Sequence, residues 1–196
     1  MKNNFFIFFC LLSATILSLN GTKDNSETPC PEAKKLERKH FDNLYQVNDE
    51  LYRSDQPGSK GMKELQELGI KTVINLRNIR CDNNEARKTN LKLEHISINT
   101  RRISYEEIIA SLKKIKESEK PVLVHCWHGS DRTGCIVAAY RMCACGWTKE
   151  NAIREFLEPP YGYHQNIFPN ILRLLNSIDV EKLKKDVNAK DRTISR

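Results

Sequence analysis

Val122 to Gly134 reads V-L-V-H-C-W-H-G-S-D-R-T-G, and this order of residue types decides the fold around it. Pro121 precedes a continuous apolar run, the pattern of a strand buried on both faces. The run delivers His125 and Cys126 to a tight loop that opens a helix at about Thr133. Five residues separate Cys126 from Arg132. That is enough for a loop to curl around one tetrahedral oxyanion, its N–H groups turned inward at the positive end of the helix. Gly129 lets the backbone bend and approach a ligand closely. Arg132 supplies a planar fork that grips two oxygens at once, which a lysine does not do in that geometry.

Cys126 stands at the bottom of this bowl. Helix N-termini and adjacent cations favour thiolate over thiol, so Cys126 reads as a nucleophile. Thr133, next after the arginine, can donate its hydroxyl to the sulfur and help it leave in a second step. Two other readings stay open for these residues: an inert buried cysteine, or a metal held by His125, Cys126 and His128. No second ligand pair stands elsewhere at a familiar spacing, so neither a metal nor a cofactor is expected.

H-C-x5-R-T-G resembles the phosphate-binding loop of the cysteine-dependent protein tyrosine and dual-specificity phosphatases. N-L-Y-Q-V-N-D-E-L-Y-R-S-D-Q-P-G from Asn43, and L-G-I-K-T-V-I-N-L-R ending at Arg77, are similar to the opening of their small bacterial and fungal dual-specificity-like members. With P-Y-G-Y-H at Pro160 to His164, the resemblance covers most of Leu44 to Ile178. It implies phosphomonoester hydrolysis through a phosphocysteine on Cys126, without metal. The catalytic set it implies is Cys126, Arg132, Asp131, Thr133 and His125, with the phosphate and substrate held by Trp127, His128, Gly129, Ser130, Asp131 and Arg132. Arg101 and Arg102 join them if their loop borders the pocket as it does in the family.

One departure stands out. The resembling families usually take their proton donor from an aspartate on the loop before the capped helix, and here that loop, Ser97 to Ile103, reads S-I-N-T-R-R-I. Asp131 is one substitute, since a D-R-T ending is similar to the loops of myotubularin-like and Sac-type lipid phosphatases. Glu106 is the other, although an acidic residue in a first helical turn has a structural reason to be there. Tyr161 and His164 belong to a segment that lies near the site in the family, and no catalytic role is given to them. The substrate expected is phosphotyrosine or another protein phosphoester. A phosphoinositide or inositol phosphate is the alternative, and the missing aspartate motivates a third reading, a phosphate-binding module without turnover.

The rest of the chain fits one α/β domain: a central, mostly parallel sheet with helices on both faces and the phosphate loop between a central strand and a helix. A chain of 196 residues, 39% hydrophobic, buries one core of ordinary size. Val47 to Ser54 predicts a strand or hairpin, and Met62, Leu65 and Leu68 a helix stopped by Gly69. Lys71 to Leu76 and Leu93 to Ile98 are strands, with a loop and short helix between them. Ser104 and Glu107 form a capping box for a helix to Ser118, with Ile103 and Ile108 as its staple. Helices follow from Thr133 to Cys145, from Thr148 to Leu157 and from about Pro169.

Residues 1–21 are expected to be a secretory signal, since Phe5 to Leu19 is uncharged and shorter than a span of about 20 residues. An uncleaved anchor is the alternative, and the only expected membrane contact. Residues 22–40 read as a polar linker, 41–179 as the catalytic domain and 180–196 as a basic, solvated tail with six basic and three acidic residues. That tail carries +3 of the formal net charge of +7, without interleaved aromatics, and the remainder spreads over the rest of the chain, so no nucleic-acid partner is expected. The protein is expected to be secreted or periplasmic and to act as a monomer. Of its seven cysteines, Cys81, Cys135, Cys143 and Cys145 are possible redox partners of Cys126. Cys143 and Cys145 point apart on one helix and do not pair with each other.

Overall fold

The structure, a computed structural model, describes residues 30–190. The expected signal segment lies outside the described residues, as does the end of the chain from 191 on. Six strands form one sheet in the order β1-β2-β3-β6-β4-β5. Lys34–Lys35 (β1), Tyr45–Gln46 (β2) and Leu51–Ser54 (β3) make an antiparallel edge. Val122–His125 (β6) lies parallel to β3 on one side and to Thr72–Asn75 (β4) on the other. Lys92–His95 (β5) extends β4 in parallel.

Period-two alternation splits each central strand between two cores. Val122, Val124 and Ile74 enter a large cluster, and Leu123 and Val73 a smaller one on the opposite face. The smaller cluster is covered by Ser59–Glu67 (α1) and Asn83–Ala86 (α2), through Met62, Leu65 and Ala86. The larger is covered by Tyr105–Glu117 (α3), Asp131–Ala144 (α4), Lys149–Leu157 (α5), Pro169–Ser177 (α6) and Val180–Asn188 (α7). The capping box at Ser104 and Glu107 is present in both directions, and Gly69 ends α1 in the left-handed region at φ +90. Because β6 sits between two parallel neighbours that precede it in sequence, its C-terminal end opens at a switch in strand order, where such sheets place ligands.

The folded unit extends beyond both boundaries expected from sequence. Within the stretch read as a linker, β1 pairs with β2, and Cys30 forms a disulfide with Cys145. Arg141, fully buried on α4, makes a two-pronged pair with Glu155 at 3.0 and 2.7 Å and also donates to Pro31 O at 2.9 Å. Trp147 Nε1 donates to Cys30 O at 2.9 Å. These anchors use backbone carbonyls and one covalent bond, which leave no apolar periodicity to read. At the other end, the first residues of the expected tail form α7. Its N-cap is Asp179, and Leu183 and Val187, four apart, are buried among charges that face water. No helix among the described residues is long and apolar enough to cross a membrane.

Candidate active site

The loop after β6 is held open by its own carbonyls. Gln56 N donates to Trp127 O at 3.0 Å, Asn43 Nδ2 to His128 O at 2.8 Å, and Arg53 Nη2 to Gly129 O at 2.8 Å. Three successive C=O groups are therefore pulled outward, toward the segment around β3. In a trans peptide the next N–H points the opposite way, so the N–H groups of His128, Gly129 and Ser130 face the bowl. Gly129 has φ +73, and a Cβ there would lie 2.6 Å from the Ser54 carbonyl carbon and oxygen and 2.7 Å from Asp55 N. Only glycine meets both conditions. The N-terminus of α4 follows at Asp131 and adds its partial positive charge.

Cys126, only 2% exposed, lies at the base of the loop. Its neighbour His125 is completely buried, with Nε2 2.7 Å from Asp82 Oδ2 and Nδ1 3.1 Å from Cys126 O. Burial raises the Asp82 pKa, but the hydrogen bond and charge of His125, with hydrogen bonds from Gln56 and Asn75, outweigh it and hold the carboxyl below its ordinary range. With both ring nitrogens engaged away from the bowl, His125 braces the backbone of Cys126. It does not face the pocket, as a group acting on substrate would.

Arg132 reaches across the bowl to the sheet ends, Nη1 lying 3.4 Å from both Leu76 O and Ile98 O. Its buried Nε has no partner, and neither has the buried hydroxyl of Thr133. A buried polar group left unpaired costs about 1–3 kcal/mol. An unpartnered guanidinium N–H at the bowl is what a bound oxyanion would satisfy.

The mouth is a recess of about 340 Å³ whose lining includes Trp127, His128, Asp131, Arg132 and His164. Trp127 is a wall and not a prop beneath the loop: it is 54% exposed, with the Arg77 guanidinium 4.6 Å over its ring. Ser130 lies buried behind the loop, its Oγ 3.3 Å from His128 O. Asp131 is buried and committed: His164 N donates to Oδ1 at 3.0 Å, and His164 Nδ1 lies 3.2 and 3.0 Å from the two oxygens. Thr100, on the 3-10 turn Thr100–Arg102, borders the recess, whereas Arg101 and Arg102 are exposed and Arg101 lies over Phe168 at 5.5 Å. Glu106 is exposed on the first turn of α3 and does not line the recess.

The metal set His125, Cys126 and His128 is not assembled, since His125 is turned to Asp82. His128, Asp131 and His164 do bring donor atoms within 4.8 Å of one another, the grouping among the described residues that a metal ion could use. Asp131 Oδ1 already accepts from His164 N, and His164 Nδ1 lies 3.0 Å from Oδ2.

Five contributors were not picked out in the sequence: Arg53, Asp82, Arg77, Asn43 and Gln56. Arg53 carried a usable signal, a charged residue directly after Leu51 and Tyr52 in an expected strand. It is 1% exposed, bonded to the loop and stacked 4.4 Å over Tyr161. Burial lowers its pKa, partly opposed by Glu155, Tyr161 and Cys126. The others lie on loops far from Cys126 in sequence, and no local pattern points to them.

A buried cysteine, an arginine with an open donor and a ring of inward N–H groups at a helix N-terminus define a cysteine-based phosphate site. The chain belongs to the family of the dual specificity phosphatase catalytic domain, whose model matches residues 51–177. Dual specificity protein phosphatase TpbA of Pseudomonas aeruginosa is 33% identical over 124 residues, covering 61% of this chain and 56% of that protein. Inositol diphosphatase DSP5 of Arabidopsis thaliana is 28% identical over 129 residues, covering 58% and 60%. The chain thus spans less than two thirds of the length of the curated relatives it matches. Among solved structures, Pseudomonas aeruginosa TpbA, as a cysteine-to-serine variant in complex with phosphotyrosine, superposes with a TM-score of 0.72 at 26% identity, over 84% of this chain and 99% of that one. The catalytic core of the PP-IP phosphatase SIW14 from S. cerevisiae shares the fold, with a TM-score of 0.61 at 22% identity over 73% and 89%.

Proposed function

We propose that this chain hydrolyses phosphomonoesters through a phosphocysteine at Cys126, with phosphotyrosine in proteins as its principal substrate. The observation that carries the proposal is the bowl itself, its carbonyls pinned outward, Cys126 at its base and Arg132 Nε unpartnered. The Cys126 thiolate attacks phosphorus in line with the leaving oxygen, and the P–O bond breaks. The loop N–H groups and Arg132 take up the charge on the equatorial oxygens. Water then attacks phosphorus, the S–P bond breaks, and the Thr133 hydroxyl donates toward the departing sulfur. His125, held by Asp82, keeps Cys126 at the centre of the bowl.

The exposed Trp127 wall supports an aromatic phosphoester, and the loop contributes a carboxylate and no lysine. The inositol-phosphate reading draws on the exposed Arg101 and Arg102 beside Thr100 and on the similarity to an inositol diphosphatase. Comparing kcat/KM for phosphotyrosine peptides and for inositol phosphates and pyrophosphates separates the two. A preference for the peptides of tenfold or more supports the first reading, and the reverse preference overturns it. Binding of inorganic phosphate without turnover of either class would leave the binding-module reading. Export to an oxidising compartment is part of the proposal, supported by the Cys30–Cys145 disulfide. Its test is fractionation of the producing cell, with the oxidised protein expected outside the cytoplasm.

A further inference from the structure

The expected proton-donor loop, residues 97–103, contains no carboxylate. In the structure that loop is fixed by Asn170 Nδ2, which donates to Thr100 O at 2.9 Å, and turns its two arginines to solvent. Nothing on it reaches a leaving group as an acid. Asp131 is no direct substitute: its oxygens accept from His164, and a carboxylate must be protonated before it can donate.

We infer that His164 is the proton donor to the leaving oxygen, and that Asp131 is the positioning residue that orients its ring. The inference rests on the phosphocysteine reading and names the acid that reading lacks. The residue is anchored at three points: its N–H donates to Asp131 Oδ1 at 3.0 Å, its carbonyl accepts from Phe168 N at 3.0 Å, and Nδ1 lies 3.0 Å from Asp131 Oδ2. The preceding turn is set by Gly162, at φ +70. With Nδ1 donating to Asp131, the other nitrogen, Nε2, has no partner among the described residues. The ring borders the same recess as Arg132 and Trp127, 38% exposed and tilted 56° to the His128 ring at 5.3 Å between centroids. The charged and titratable groups around it are Asp131, His128 and Arg132.

The proton balance closes over the two steps. In the first, Cys126 Sγ bonds to phosphorus, the P–O bond breaks, and the His164 imidazolium gives its Nε2 proton to the leaving oxygen. In the second, neutral His164 Nε2 takes a proton from the attacking water as the S–P bond breaks, restoring imidazolium and thiolate. Asp131 keeps its hydrogen bond to Nδ1 throughout, the role a carboxylate plays behind a catalytic histidine.

The test is kcat/KM for the full chain with aryl phosphates from nitrophenyl to phenyl and with an alkyl phosphate, for wild type, His164→Gln, His164→Asn and Asp131→Asn. General acid catalysis contributes about 10²–10⁴-fold where the leaving group needs the proton. Both His164 variants are therefore expected to lose at least about 10²-fold on phenyl and alkyl phosphates, and less than about threefold on nitrophenyl phosphate. Asp131→Asn should show the same leaving-group trend more weakly, because an asparagine oxygen still accepts from Nδ1. A uniform loss across the series would make His164 merely structural and overturn the inference. Loss of the acid effect in Asp131→Asn with a wild-type trend in both His164 variants would assign the donor to Asp131 instead. Melting temperature and phosphate affinity show which variants are folded. If neither His164 variant folds, the wild-type series decides: a rate nearly independent of the leaving group at low pH that becomes leaving-group dependent as pH rises supports the inference, and a steep dependence at every pH overturns it. A wild type inert toward every ester would instead sink the phosphatase reading.

Discussion

Gly129→Ala is the sharpest perturbation of the phosphate bowl. Its cost has two parts. The left-handed backbone at φ +73 costs an L-residue about 1–2 kcal/mol. The added Cβ meets backbone atoms of Ser54 and Asp55 at 2.6–2.7 Å, where ordinary contact begins at 3.4 Å. Those atoms belong to the end of β3 and cannot rotate away as a side chain would, so the loop itself must move by about 0.8 Å. Overpacking of this kind adds about 1–3 kcal/mol, for a total of about 2–5 kcal/mol in urea unfolding. Displacement by about an ångström costs on the order of 10²-fold in a reaction that depends on in-line geometry. The assay pairs the urea midpoint with kcat/KM on an aryl phosphate. Gly146→Ala is the control, because its φ is +66 but nothing lies within 4 Å of the new Cβ. It is expected to lose about 1–2 kcal/mol, the backbone cost alone, and no activity. Wild-type stability and turnover in Gly129→Ala would refute the packing of this loop on β3.

Asp82→Asn removes the carboxylate that accepts from buried His125, and weakening a buried hydrogen bond of this kind costs about 1–3 kcal/mol. Because the folded-state pKa of Asp82 is depressed, its contribution is present above the ordinary carboxylate range and lost as pH falls through the folded value; urea unfolding midpoints of wild type and variant, apart at neutral pH, should therefore converge as pH falls. Arg53→Met frees Gly129 O from a charged donor, and a bond of that kind is worth about 1.5–3 kcal/mol, so kcat/KM should fall by about 10–100-fold. Its stability should change by less than about 1 kcal/mol, because a buried charge leaves with it, as paired urea titrations can check. Cys145→Ser opens a link between residues 115 apart and should cost about 4–5 kcal/mol in thermal unfolding while leaving Cys126 chemistry intact. Chelators should leave turnover unchanged, as measured on the metal-stripped protein.

Much of this was legible in the sequence because local rules agree there. The apolar run before His125, the glycine in the loop, the Ser104 capping box and the stop at Gly69 each demand one local geometry, and each is found. The parts that were not legible are held by long-range polar contacts. Cys30 and Pro31 join α4 and the turn after it through backbone carbonyls and a disulfide, and α7 hides two apolar residues among lysines. In the site, Cys126, Arg132 and Gly129 were readable from spacing. The commitment of Asp131 to His164, across 33 residues, and of His125 to Asp82, across 43, was not. His125 was expected among the catalytic residues and stands as a brace, a difference that only the direction of its ring reveals.

The central claim is that Cys126 carries the phosphoryl group. Its most direct measurement is rapid acid quenching of the reduced enzyme during turnover of an aryl phosphate, followed by peptide mass spectrometry, for wild type beside Cys126→Ser and Arg132→Ala. The account predicts a phosphoryl adduct on the peptide containing Cys126 in wild type, none in Cys126→Ser, and loss of turnover in both variants. Turnover surviving in Cys126→Ser, or an adduct on any other residue, would contradict it.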